Sequence, residues 1–169
     1  MKAVSLYSPY AWKGRIGLIV PSTNTVNEPE FNMMKPDGMG VFGARAMLLG
    51  AASKDSYNAM EENVALAAEQ LATAEVDVIA FGCTSGSFIC PGDQIERTMH
   101  AATGAPAVTT AYAVLAARER FGVSKISMGT PYVDFVNEEE VNFLQAHGGE
   151  TMKYHGLHLG EPQEERRGI

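Results

Sequence analysis

Two segments of this chain repeat each other at a separation of 110 positions, and this repeat constrains the fold more than any other feature. Residues 15–21 align with residues 125–131, and residues 26–28 align with residues 136–138. In both copies a basic residue precedes a short apolar run, a proline ends the run, and an Asn-Glu pair marks a helix start. The repeat predicts two pseudo-symmetric half-units.

Apolar runs alternate with helical patterns along the whole chain, which is typical of a parallel sheet covered by helices. Strands are predicted over residues 15–20, 40–48, 76–81, 106–109, 125–130 and 151–159. Helices are predicted over residues 29–38, 57–74, 91–103, 111–120 and 133–147. The predicted fold class is α/β: a parallel-sheet lobe with helices on both faces, followed by the start of a second pseudo-symmetric α/β lobe.

The predicted domains are a first α/β lobe over residues 1–115, which carries Cys83, and an incomplete second lobe over residues 116–169. The second lobe is expected to be incomplete because the repeat places the copy of Cys83 beyond the end of this 169-residue sequence.

Composition excludes several classes of partner. The formal net charge of −7 disfavours nucleic acids and anionic membrane surfaces, because affinity for both depends mainly on lysine and arginine. No apolar run reaches the roughly 18 residues of a membrane span, and the N-terminus does not resemble a secretion signal. Only two cysteines are present, so a reduced cytoplasmic location is expected.

Cys83 stands where open α/β sheets usually place their chemistry. The segment 82–87, Gly-Cys-Thr-Ser-Gly-Ser, directly follows the apolar run 76–81. The carboxyl ends of parallel strands form ligand-binding crevices. Small residues and hydroxyls in such a loop leave backbone N–H groups available to an anion. The alternative to a nucleophile is a small core residue, the usual role of a free cysteine.

Two further residues follow the repeated strands. Asn24 lies after the first strand, on the same predicted sheet edge as Cys83, and can donate its amide to a carboxylate or cap the next helix. Tyr132 follows the second copy of that strand, and its phenol can donate to an oxyanion or simply pack half-buried. Asn137 is expected to be structural.

The second thiol and the histidines are predicted to have no chemical role. Cys90 precedes Pro91 and has no redox partner at two-residue spacing, so it is expected to fill space. Among the histidines, His155 and His158 lie close in sequence, but two ligands are too few for a zinc site. No metal is predicted.

Three motifs, over residues 15–25, 83–87 and 130–138, resemble the maleate cis-trans isomerase family in this order. That family is part of the aspartate/glutamate racemase superfamily, which also contains arylmalonate decarboxylase. The resemblance covers nearly the whole chain. It implies a cofactor-independent enzyme of two pseudo-symmetric α/β lobes with the site between them.

The resemblance also implies roles for particular residues. Cys83 matches the catalytic cysteine of the first lobe, Asn24 the ligand of the substrate carboxylate, and Tyr132 the tyrosine between the lobes. Thr84 and Ser85 would supply further donors to the substrate. In the decarboxylase branch a glycine occupies the position of Cys83, so this residue favours the isomerase or racemase side.

The implied reaction is addition of the Cys83 thiolate to the double bond of a cis-dicarboxylate, followed by rotation and elimination to fumarate. One alternative is a cofactor-independent racemase of amino-acid-like acids, which requires a second thiol. Another is an inactive truncated chain that retains only a carboxylate-binding rim. A homo-oligomer is expected, because an incomplete lobe would leave apolar surface to be covered.

Overall fold

The computed structural model describes residues 10–50, 53–90 and 93–159. Within them the strands are β1 (Gly14–Pro21), β2 (Met39–Ala46), β3 (Val78–Phe81), β4 (Ala107–Thr109), β5 (Lys125–Thr130) and β6 (Glu150–Gly156). The helices are α1 (Asn27–Met34), α2 (Lys54–Thr73), α3 (Thr84–Ile89), α4 (Gln94–Thr103), α5 (Thr110–Phe121) and α6 (Asp134–Ala146). The helix start predicted at residues 91–92 lies outside the described residues.

The strands form two sheets in which every neighbouring pair is parallel. The first sheet has the order β2-β1-β3-β4, and the second consists of β5 and β6. Parallel neighbours require crossover connections, and helices supply these connections here. The predicted fold class, a parallel-sheet lobe followed by the start of a second α/β lobe, is confirmed. The boundary predicted after residue 115 falls inside α5.

The strand pairing follows the sequence repeat. Arg15 pairs with Gly40 in the first sheet, and the residues 110 positions later, Lys125 and Glu150, pair in the second. The register then shifts just after Ile126. Strand β6 is therefore the counterpart of β2, and β5 is the counterpart of β1.

The main core lies between the first sheet and α2. In β1, Leu18, Ile19 and Val20 are fully buried, as expected for a strand covered on both faces. Helix α2 begins with a capping box, in which the hydroxyls of Ser53 and Ser56 each accept the other residue's backbone N–H. The buried face of α2 consists of Tyr57, Met60, Val64, Ala67, Ala68 and Leu71.

The segment after β3, predicted as a loop, is instead the short helix α3. Its Thr-Ser-Gly-Ser composition has weak helix propensity, so the local sequence does not indicate a helix. A tertiary contact stabilises it, because the Ser87 hydroxyl accepts the Ala111 N–H of α5 at 3.1 Å; the same hydroxyl donates to the Thr84 carbonyl within α3 at 2.8 Å. Cys83 forms the N-cap of this helix.

Helix α6 connects the second sheet to the first lobe. Its buried residue Leu144 packs with Phe88 of α3 and Ala111 of α5. Phe143 meets Phe88 edge to face with a ring-centroid distance of 5.0 Å. This packing brings the turn between β5 and α6 next to the start of α3, where Cys83 lies.

Candidate active site

A cavity of about 690 Å³ lies at the carboxyl ends of β1, β3, β5 and β6, between the two sheets. All five residues predicted as site residues line it: Asn24, Cys83, Thr84, Ser85 and Tyr132. These residues come from three separate chain segments, so their convergence is a property of the fold. The cavity volume is in the range typical of small-molecule sites.

Cys83 is a buried thiol at the inner end of the cavity wall, with 6% of its surface exposed. Its Sγ accepts the Gly86 N–H at 3.4 Å and lies 3.9 Å from the Ser85 hydroxyl. Burial raises the pKa of the Cys83 thiol, and these two hydrogen bonds offset only part of the rise. The neutral thiol is therefore the resting form at neutral pH, and a reaction must remove its proton.

Gly86 allows α3 to approach α2 closely beneath Cys83. A Cβ atom at Gly86 would lie 2.6 Å from the Met60 Cε and 3.0 Å from the Cys83 Sγ. Glycine at this position thus lets the N–H group reach the sulfur without a side chain between them.

Asn24 has the capping role considered from the sequence. Its Oδ1 accepts the N–H groups of Val26 and Asn27 at 3.0 and 2.9 Å, which caps the start of α1. Its Nδ2 donates to the Asn27 Oδ1 at 2.9 Å, and Asn27 in turn donates to the Gly82 carbonyl at 2.9 Å. An amide nitrogen carries two hydrogens, so Asn24 keeps one donor for a ligand.

Tyr132 is half-buried at the opposite side of the cavity. Burial is the main cause that raises the pKa of its phenol to about 12, and the charges of Glu140 and Cys83 add to the rise. The Thr84 side chain offsets part of it. The phenol is therefore a neutral hydrogen-bond donor at physiological pH, the form that an oxyanion requires.

Asn137 holds the turn that carries Tyr132. It is fully buried. Its Nδ2 donates to the carbonyls of Tyr132 and Val133, both at 3.2 Å, and its Oδ1 accepts the Thr130 hydroxyl. In the first copy of the repeat, Asn27 similarly anchors a strand-end carbonyl, that of Gly82. The prediction that Asn137 is structural is confirmed.

Three residues near the site were not predicted from the sequence. His155 and Tyr57 line the cavity, and Glu140 is buried in α6 with its Oε1 lacking a hydrogen-bond partner in the described part of the chain. The repeat could have indicated His155, because it aligns this residue with Arg45, a basic residue at the carboxyl end of β2. Nothing in the local sequence indicates the burial of Glu140.

Two absences concern the described residues only. Across residues 10–50, 53–90 and 93–159, no group of three His, Cys, Asp or Glu side chains is arranged to hold a metal ion. Within the same ranges, no helix is both long enough and apolar enough to cross a membrane.

Known proteins resemble this chain in both sequence and structure. It is 28% identical over 161 residues to a maleate isomerase of Pseudomonas putida, a match that covers 86% of this chain and 64% of that protein. It is 31% identical over 132 residues to an arylmalonate decarboxylase of Bordetella bronchiseptica, covering 76% of this chain and 54% of that one.

A solved structure shares the fold. It is a maleate cis-trans isomerase of Nocardia farcinica, a cysteine-to-serine mutant with a covalently bound succinylcysteine intermediate. The TM-score is 0.78 at 22% identity, and the match covers 89% of this chain and 66% of that one. This chain therefore spans about two thirds of the length of such relatives.

Fold and site together define an α/β protein with a cysteine at the carboxyl edge of a parallel sheet, opposite a tyrosine of a repeat-related unit. The model of the arylmalonate decarboxylase family matches residues 16–164. The chain belongs to this family, and its similar relatives include maleate isomerases. The resemblance recognised in the sequence motifs is thereby confirmed.

Proposed function

We propose that this chain acts in a maleate cis-trans isomerase, with Cys83 as the nucleophile. The observation that carries the proposal is the convergence of one thiol and several neutral donors on a single small-molecule cavity. The resemblance to maleate isomerases, one of which was captured with a succinylcysteine intermediate, supports the same chemistry.

In the proposed reaction, the Cys83 sulfur forms a bond to one alkene carbon of maleate. The π electrons move to the adjacent carbon and its carboxylate, which becomes an enediolate. Thr84, Ser85 and Tyr132 are proposed to donate hydrogen bonds to this developing charge, and their positions in the cavity lining support this. Rotation about the new single bond follows, and return of the electrons expels the thiolate to give fumarate.

Ionisation of Cys83 is the demanding step, because burial raises the pKa of its thiol. The Gly86 N–H and the Ser85 hydroxyl stabilise the thiolate once it forms. The first-order expectation is that the rate of the chemical step increases with pH beyond the range of an ordinary exposed thiol.

Asn24 is proposed to bind a substrate carboxylate through its remaining amide hydrogen. Its other bonds fix the amide against Asn27 at the start of α1, and Asn27 is itself bonded to Gly82 after β3, so the donor is held before the ligand arrives. A preorganised donor loses little conformational freedom on binding.

The test is conversion of maleate to fumarate followed by proton NMR. The wild-type chain and Cys90→Ser are expected to produce fumarate, whereas Cys83→Ser is expected to produce none. Cys90 is the matched control, because it is also buried but does not appear among the residues lining the cavity. Undiminished turnover by Cys83→Ser would overturn the proposal.

The same samples distinguish the alternatives. A racemase would leave maleate unchanged but exchange the α-hydrogen of an amino acid such as aspartate in deuterated water. A chain that retains only a carboxylate-binding rim would bind succinate and perform neither reaction.

We further propose a homo-oligomer acting on a small dicarboxylate in the reducing cytoplasm, without nucleic-acid partners. The two free cysteines support a reducing compartment, and the net charge of −7 supports the lack of nucleic-acid partners. The exposed side chains of Phe121 and Leu157 support self-association, since they are 78% and 59% exposed near the second sheet. Light scattering of the purified chain tests the oligomeric state.

A further inference from the structure

Glu140 is a buried carboxylic acid that the proposed reaction leaves unused. It is 4% exposed, and its Oε1 has no hydrogen-bond partner among the described residues. Burial raises its pKa to about 7. Because an ionised carboxylate without full hydrogen bonding is costly inside a protein, the neutral acid is favoured under mildly acidic conditions.

The position of Glu140 connects it to the cavity. Val136, one helical turn earlier on the same face of α6, lines the cavity wall. After burial itself, the charge of Glu140 is the largest of the influences that raise the pKa of Tyr132. Glu140 therefore acts electrostatically on the phenol that borders the proposed substrate site.

Comparison with two other acids, its repeat counterpart and the residue before it, shows that this burial is specific to Glu140. Glu30 is its counterpart in the sequence repeat, and it is exposed on α1, a helix with no buried residues. Glu139, the preceding residue, is ion-paired with Lys54 at 2.6 Å. Neither shares the unpaired, enclosed environment of Glu140.

The cavity offers little positive charge to balance a dicarboxylate. Among the described residues its lining contains no lysine or arginine and one histidine, His155. Any negative charge close behind the wall therefore acts on a bound anion with little compensation.

We propose that Glu140 controls the charge that a dicarboxylate meets at the Tyr132 side of the cavity. The neutral acid permits binding, and the ionised carboxylate opposes it. This proposal rests on the carboxylate-binding part of the proposed function. By linkage, a bound dicarboxylate favours the protonated form of Glu140, so binding near neutral pH takes up protons.

Several other titratable groups face the cavity or α6, and the test must separate them. They are Cys83 from the start of α3, Tyr57 and Lys54 from α2, Tyr132 from the turn after β5, His155 from β6, and His158, which is ion-paired with Asp134 of α6 at 3.5 Å. A cationic imidazole at either histidine would also favour an anion, so its contribution would have the same sign as that of neutral Glu140.

The experiment is isothermal titration of the full chain with succinate, a dicarboxylate that cannot isomerise. Wild type, Glu140→Gln, Glu139→Gln and His155→Gln are compared from about pH 6 to about pH 8. Wild-type affinity is expected to fall by up to about tenfold over this interval, because the protonated fraction of an acid with a pKa of about 7 falls about tenfold between about pH 6 and about pH 8. Glu139→Gln and His155→Gln should retain most of the fall, and Glu140→Gln should lose it.

A second measurement keeps the proposal testable if Glu140→Gln does not fold. Titrations of wild type and His155→Gln in two buffers of different ionisation enthalpy measure proton uptake, which is expected in both proteins near pH 7. Parallel pH profiles for Glu140→Gln and wild type, or no proton uptake in His155→Gln, would overturn the role of Glu140 but not the carboxylate site. Absence of succinate binding at every pH would overturn the carboxylate site as well.

Discussion

Replacement of Asn137 by alanine should destabilise the protein and loosen the turn that carries Tyr132. The substitution removes the acceptor for the Thr130 hydroxyl and the two donated bonds to the Tyr132 and Val133 carbonyls. Each buried hydrogen bond contributes about 1 kcal/mol net, so the three together predict a loss of about 3 kcal/mol.

The size of the loss depends on whether the carbonyls that lose the Asn137 amide keep other hydrogen bonds. The Val133 carbonyl keeps the backbone N–H groups of Val136 and Asn137 at 3.1 and 3.2 Å, so it stays satisfied. The Tyr132 carbonyl keeps only a long bond from the His158 N–H at 3.4 Å. The loss should therefore fall on the turn that positions the phenol, and dicarboxylate affinity should decrease with stability.

Urea unfolding followed by circular dichroism provides the assay, with Asn32→Ala as the matched control. Asn32 is exposed on α1 and donates one local bond to the Glu28 carbonyl, so its replacement should change stability by less than about 0.5 kcal/mol. Equal stabilities for the Asn137 and Asn32 variants would refute the reasoning that the buried amide organises the site.

Three further predictions concern the same cavity. Asn24→Ala should lower stability by about 1 kcal/mol through the lost helix cap, and should weaken succinate binding by about 1 to 3 kcal/mol in titration calorimetry. Because the folded pKa of Glu140 is raised from 4.5 to about 7, its favourable contribution is complete below about pH 4.5 and is lost as the pH rises through 7. That loss amounts to about 3 kcal/mol, and unfolding curves of Glu140→Gln should not show it. Iodoacetamide should label Cys83 before Cys90, because Cys83 lines the cavity and Cys90 is not among the lining residues, while burial raises the pKa of both thiols; peptide mapping that finds Cys90 labelled first would contradict this order.

The sequence predicted those parts of the fold that depend on local pattern. The nearly continuous apolar run that contains β3 and the helical spacing of Met60, Val64 and Leu71 identify their elements because burial periodicity follows secondary structure. The repeat predicted that Tyr132 lies at the rim of the second half-unit, which faces the rim that carries Cys83 if a pseudo-twofold relates the two copies. Four of the predicted boundaries moved by several residues: α1 ends at Met34, α2 starts at Lys54, α4 starts at Gln94, and β6 ends at Gly156.

Features that depend on tertiary contacts could not be predicted in this way. Helix α3 is built from weak helix formers and is held to α5 by the bond from the Ala111 N–H to the Ser87 hydroxyl. Glu140 is buried on α6, a helix that packs against α3 and α5, whereas its repeat counterpart Glu30 remains exposed. Environments that differ between two copies of the same sequence pattern are set by the neighbouring elements, not by the pattern.

Covalent addition of maleate to Cys83 is tested by the mass of the chain after brief incubation with maleate and acid quenching. We expect addition of one maleate to the peptide that contains Cys83, in wild type and in Cys90→Ser, with no addition in Cys83→Ser. An adduct on Cys90, or the same addition in Cys83→Ser, would contradict the assignment of Cys83 as the nucleophile.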